Sequence, residues 1–169
     1  LAPIFLQIPV TLAEVRVQDT ETARLQVIFN AAWDQEMRDN PVWASSLGDR
    51  RFNRSWRDES ETARLARLQR YQSTLSSLAE IEIEKLTHQG RIDLELFKRQ
   101  LQTRVEASKF RPDLMPMSQR GGIQTLNETA TSLRLQTIDD YEDWLARLST
   151  VNQLVDQTIQ RMQQGLLRG

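Results

Sequence analysis

Thr137–Leu148, TIDDYEDWLARL, carries the marks of a capped amphipathic helix. Thr137 stands where an N-cap hydroxyl belongs. Asp139, Asp140, Glu142 and Asp143 fill the first turns, where the helix dipole favours carboxylates. Ile138, Tyr141, Leu145 and Leu148 recur at helical spacing, and Val155, Ile159 and Met162 carry the stripe onward, with a break expected near Ser149 and Thr150. Tyr141 and Arg147 are separated by about 600° of helical rotation and so face different sides. The expectation is packing for Tyr141 and an interhelical carboxylate pair for Arg147.

The chain upstream reads the same way. Leu25, Ile28, Phe29, Ala32 and Trp33 form one apolar stripe of a helix expected from Thr20 to Asp39, capped by Asp19 or Thr20 and ended by Asn40-Pro41. Pro41 to Arg57 shows no clean period and reads as a structured loop with one helical turn, Gly48 taking a left-handed position. Asp58 and Glu61 have N-cap and N3 spacing for a second helix, whose buried face is Leu65, Leu68, Tyr71 or Gln72, Leu75 and Leu78. Ala79 to Leu86 reads as a loop or helical continuation, since an isolated strand has nothing to pair with. Thr87 caps a third helix, His88 to Lys109, with Leu94, Phe97, Leu101 and Val105 on one face and Ile92 and Leu96 beside them. A loop from Arg111 to Thr125 and a short helix, Leu126 to Leu133, lead into the opening stretch. The fold class is therefore all-α, five or six amphipathic helices in an irregular bundle. Trp33, Trp43, Trp56 and Trp144 are read as core anchors.

Composition narrows the function classes. With 39% hydrophobic and 27% charged residues, the 169-residue chain suits one globular domain with a real core. A formal net charge of −1 gives no global field for nucleic acid or an anionic membrane. There is no cysteine, which excludes disulfides, Cys-zinc sites and a lipidated cysteine on this chain. His88 is the single histidine, and one histidine without partners makes neither a zinc site nor a nucleophile–base pair; a surface or capping role is expected for it. The apolar, uncharged start from Leu1 to Ala13 reads either as the rear of a secretory signal peptide or as an arm packed on the domain, and its two prolines and short length argue against a membrane span. The organisation is thus residues 1–18, apolar arm or signal-peptide remnant, and residues 19–169, the helical portion.

Two loops are the candidate binding sites. In the first, Gly121 and Gly122 free the backbone for positive φ or close approach, flanked by Gln119, Arg120 and Gln124, whose side chains suit an extended peptide. Its alternative is a tight turn. The second is the Leu47–Arg50 turn, where Asp49 with Arg50 or Arg51 suits a substrate terminus, against a plain helix-end turn with local ion pairs. From Arg50 to Arg70, seven arginines face three acids; with lysine scarce and no DNA-binding pattern, a solvated face over Phe52 and Trp56 is favoured over nucleic acid. Glu80, Glu82 and Glu84 read as solvated.

Five segments in order, WASSLGDRRFNRSWRDES, LELFKRQL, FRPDLMPMSQRGGIQTL, TIDDYEDWLARL and QTIQRMQQGLLRG, resemble the N-terminal region of bacterial domain-of-unknown-function family 885 (DUF885), over roughly Thr20 to Gly169. The resemblance implies a larger helical protein, often exported, whose C-terminal part carries a His-Glu-x-x-His motif and a zinc-dependent peptidase-like site. Two histidines at i and i+4 grip one zinc, and the glutamate polarises its water. His88 is followed by Gln89-Gly90, so no catalytic residue and no metal ligand carries over. Implied are an inactive helical portion walling a substrate cleft, zinc and the partner segment lying in the remainder of the protein, a peptide-like substrate, and a periplasmic or secreted location, otherwise cytoplasmic. The competing reading is a stand-alone helical interaction module.

Overall fold

The structure, a computed structural model, describes residues 12–119 and 121–168, with side chains from Thr20 onward. The expectations for the first eleven residues and for Arg120 lie outside the described residues.

The all-α expectation holds. Among the described residues seven α-helices follow in order: α1 Leu12–Asp39, α2 Pro41–Ser46, α3 Glu61–Ala79, α4 His88–Ser108, α5 Leu126–Ser132, α6 Ile138–Ser149 and α7 Val151–Arg168. Short 3₁₀ turns sit at Arg50–Phe52, Ile83–Lys85, Pro112–Leu114 and Ile123–Thr125. Among the described residues no helix is long and apolar enough to cross a membrane.

Local chemistry sets the boundaries. Thr87 caps α4 as expected, its Oγ1 accepting from the Gly90 N–H at 3.0 Å. Thr137 and Asp140 form a reciprocal capping box at α6, and the chain breaks between Ser149 and Val151 where the spacing predicted. Two start points differ. α1 begins at Leu12, so Asp19 and Thr20 lie inside it rather than capping it. α3 is capped by Ser60, whose Oγ accepts from Ala63 N–H at 3.2 Å. Asp58 instead accepts from Ser60 N–H and from Gln157 Nε2, both at 2.9 Å, so it shapes the turn before the helix and ties it to α7.

The apolar core is the α1–α3–α4 unit. Leu25, Leu78, Ile81, Leu86, Leu94 and Leu101 are buried together, with Phe29 edge-on to Phe97 at 5.2 Å. Ile81 and Leu86 face inward from the α3–α4 link, while Glu80, Glu82 and Glu84 face solvent. Buried Glu21 holds that link by accepting from Arg24 (2.8 Å) and from the Glu82 N–H (3.1 Å), and these bonds keep its carboxyl below the usual range. Leu65 was expected in the buried face of α3 and is exposed. Arg67 points inward in its place, because its guanidinium reaches the Asp58 carbonyl at 2.8 Å. That also corrects the picture of a solvated arginine face at this position.

α7 is held to the Pro112–Leu114 turn by close approach at Gly165, where a Cβ would come within 2.8 Å of the Leu114 carbonyl oxygen. Helix propensity favours alanine over glycine by up to ~1 kcal/mol, but overpacking against rigid backbone costs ~1–3 kcal/mol. Gly165→Ala is therefore expected to lower the unfolding free energy by about 1 kcal/mol in urea titration; a gain in stability would show that α7 does not rest on Leu114.

Candidate functional site

α6 carries two lanes of side chains, and they face opposite to the usual arrangement. Asp140, Asp143 and Arg147, at i, i+3 and i+7, turn toward the Pro41–Arg57 segment. Ile138, Tyr141, Leu145 and Leu148 turn outward, with Ile138 78% and Leu145 64% exposed. Tyr141, expected to pack, belongs to that outward lane and is 53% exposed. α7 repeats the pattern: Leu154, Thr158, Arg161 and Gly165 lie on its inner side, while Ile159, Met162, Leu166 and Leu167 are exposed.

Both inner carboxylates have a designated partner. Asp140 accepts from the backbone N–H groups of Gln136 and Thr137 and from the Thr137 hydroxyl, and it pairs with Arg50 at 2.7 Å. Those bonds, Thr137 first, lower its pKa. Asp143 takes Arg54 Nε at 2.7 Å and Asn53 Nδ2 at 3.2 Å, and the Arg54 bond is the main reason its pKa is lowered. With both acids claimed, Arg147 has no carboxylate to bond, which corrects the expected interhelical pair. Its side chain is fully buried, and Nη2 donates to Ser45 Oγ at 2.8 Å and to the Phe52 carbonyl at 3.1 Å. Its guanidinium lies over the Trp56 ring, 5.7 Å from the centroid, while Trp56 Nε1 donates to the Arg147 carbonyl at 2.8 Å. Nε and Nη1 have no hydrogen-bond partner. Burial pushes the guanidinium down to about 10, and only the charge of Asp143 opposes this.

The two candidate loops do not line a common pocket. Asp49 caps the Arg50–Phe52 turn by accepting from Arg51 N–H at 3.1 Å and pairs with the Arg51 guanidinium; Arg50 reaches Asp140. Gly48 takes φ 90° as read. A pocket of about 220 Å³ is lined by Gly48, Arg50, Asn53, Asp140, Trp144 and Arg147 among others, and by none of Gln119, Gly121, Gly122 and Gln124. The Gly121–Gly122 loop is closed on itself. Ser118 N–H donates to the Gly121 carbonyl at 2.8 Å, and Gln124 Nε2 donates to the carbonyls of Ser118 and Gly121 at 2.8 and 3.2 Å. Gly122 has φ 140°, and a Cβ there would meet the Pro116 carbonyl oxygen at 2.9 Å. Gln119 is exposed.

The arginines from Arg50 to Arg70 each lie within 4.0 Å of a carboxylate, Glu59 alone drawing Arg57, Arg67 and Arg161. Phe52 is flanked by Arg38 and Arg51. Trp56 and Trp144 pack edge-on at 6.0 Å, half-buried as anchors.

Trp33 and Trp43 are not core anchors. They pack edge-on at 5.5 Å and stay exposed, because α3 and α4 leave that flank of α1 uncovered. They line an open groove of about 990 Å³ between α1, α3 and α4, with exposed Val27 and Leu96 at its sides. This groove lies apart from both candidate loops. Its trace in the sequence is Leu96, an apolar residue beside the buried face of α4.

His88 is exposed in the first turn of α4. Among the described residues no three metal-capable side chains come together.

A sequence model of the family described as bacterial protein of unknown function (DUF885) matches residues 41–169. The chain belongs to that family, with α2 to α7 inside the matched region and α1 before it. No curated protein and no solved structure matches.

Two outcomes test the joint. Arg147→Ala, which leaves a cavity and strips a donor from Ser45 and Phe52, is expected to cost ~2–4 kcal/mol by chemical denaturation. Arg147→Met, which keeps the bulk and removes an unpaired buried charge, is expected to cost under ~1 kcal/mol. For pH, Asp140 and Asp143 have folded pKa values below their unfolded ones. Their contribution is therefore complete above about pH 4 and is lost as pH falls through the folded values. Thermal melts from pH 7 to 2 are expected to show a flat region above pH ~5 and then a fall, with a shallower fall in Asp143→Asn.

Proposed function

We propose that this chain is the part of a larger zinc-dependent, peptidase-like hydrolase that walls its substrate cleft, the catalytic groups being supplied by the remainder of the same protein. The observation that carries the reading is the outward apolar lane shared by α6 and α7. Ile138, Leu145, Ile159, Met162 and Leu166 are exposed on helices whose inner sides are anchored by charge. Leaving so much hydrocarbon in water is unfavourable by about 25 cal/mol per Å², and contiguous patches of this kind mark docking surfaces. Family membership supports the same direction, since the zinc motif belongs to the family resemblance and not to these residues. An exported, periplasmic or secreted setting goes with it. A stand-alone interaction module would use the same lane on a separate partner.

The test pairs this chain with the longer product of its gene. The frame past Gly169 is expected to encode a His-Glu-x-x-His helix. The longer form should cleave a peptide library in a chelator-sensitive way, and the present chain should cleave nothing. Leu145→Asp with Ile159→Asp is expected to change the stability of the present chain by under ~0.5 kcal/mol, as surface substitutions do, yet to lower activity of the longer form at least tenfold. A longer frame without the motif, or full activity in the double variant, would overturn the reading.

A further inference from the structure

We propose that the pocket between the Gly48–Asn53 turn, the Leu133–Thr137 link and α6 is a binding site for a small monocarboxylate with an apolar tail. Its volume of about 220 Å³ lies below the ~300 Å³ at which pockets for drug-sized ligands begin, so the occupant is small. The charges on its walls do not balance. Arg50, Arg134 and Arg147 line it against Asp140 and Asp143. Asp140 is engaged by Arg50 and by the hydroxyl and backbone N–H of Thr137. Asp143 is engaged by Asn53 and by Arg54, which approaches from outside the lining. Arg134 is exposed and has no ion pair among the described residues. Asp139 and Glu142 also stand outside the lining and act on Arg54. The walls are therefore left with one positive charge in excess, which one carboxylate neutralises.

Arg147 gives that excess its weight. Its side chain is fully buried, and Nε and Nη1 have no hydrogen-bond partner. Nη2 donates to the Ser45 hydroxyl, and Ser45 is itself a lining residue, so the guanidinium end of the side chain lies at the floor of the pocket. Burial disfavours its charge, and no acid is bonded to it; only Asp143 acts on it from a distance. Charges in so dry a place are screened far less than at the surface, so an anion in the pocket is attracted by Arg147 without touching it. Arg134, exposed at the rim, offers direct N–H donors in the fork geometry that a carboxylate matches. Leu133, Leu135 and Trp144 line the same space and suit a short hydrocarbon tail. A phosphate dianion exceeds the charge to be neutralised, and an ammonium has the wrong sign. The inference does not rest on the hydrolase reading, since the pocket and its charges belong to this chain.

The probes are acetate, isovalerate and phenylacetate, titrated against the tryptophan fluorescence of this chain, in which Trp144 stands in the pocket wall. Saturable binding of isovalerate or phenylacetate is expected, with the corresponding neutral amide at least tenfold weaker. Arg134→Gln, an exposed change, and Arg147→Met, which keeps the bulk, should each weaken binding at least tenfold with the helical circular dichroism unchanged. The bound acid should raise the melting temperature of the wild type, because it binds the folded state alone, and leave that of Arg147→Met where it was. Should Arg147→Met fail to fold, Arg134→Gln with the acid and its amide gives the same comparison. Equal binding of acid and amide, tighter binding of inorganic phosphate, unchanged affinity in either variant, or no saturation by any of the three acids would overturn the inference. None of these outcomes depends on a zinc motif past Gly169, so this inference and the hydrolase reading fail separately.

Discussion

The buried guanidinium of Arg147 is the constraint from which the C-terminal half of the molecule takes its orientation. A helix with a charged lane and an apolar lane must bury one of them. On α6 the charged lane goes in, because the Pro41–Arg57 segment offers what each charge requires: Arg50 for Asp140, Arg54 and Asn53 for Asp143, and a hydroxyl, a carbonyl and the Trp56 ring for Arg147. Burying an ion is costly unless its partners are preset. Here they come from a segment that is itself held by an N-capped turn at Asp49. Once Arg147 is seated, Leu145 and Ile138 have nowhere to go but outward.

The protein is therefore held together in two ways. The α1–α3–α4 unit is a hydrocarbon core of leucines and isoleucines with Phe29 and Phe97 packed against it. The α6–α7 unit joins it through ions and amides: Asp143 with Arg54, Gln157 with Asp58 and the Glu59 N–H, Arg161 with Glu59, and the Gly165 contact on Leu114. Arg111 adds a further tie, since its left-handed conformation (φ 48°) lets one guanidinium bind both Asp113 and Glu61. Polar joints of this kind are directional, so they fix the angle of α6 and α7 more closely than their modest strength would suggest.

Period and punctuation in the sequence were enough for the helices and their ends. Thr87, Thr137 and the break after Ser149 all act as their chemistry predicts. What a 3.6-residue period cannot show is which lane of a two-lane helix meets the rest of the protein. α6 has two lanes of equal quality, and only the partners offered by Arg50, Asn53 and Arg54, some 90 residues upstream, decide between them. The same ambiguity hid Arg67, which occupies an inward position because the Asp58 carbonyl lies within its reach, while Leu65 turns outward. The groove was invisible for a related reason: Trp33 and Trp43 carry the composition of core residues, and their exposure follows from where α3 and α4 stop covering α1.

α2 is where the two halves meet. Trp43 lines the groove and packs on Trp33, while Ser45, two residues on, accepts from Arg147 and also donates to Asn53 Oδ1 at 2.7 Å. The helix is six residues long, begins with Pro41 and is closed by Leu47 and Asp49 N–H bonds to its own carbonyls. The groove and the outward lane share no lining residue, yet they are connected through a single turn and a half of helix.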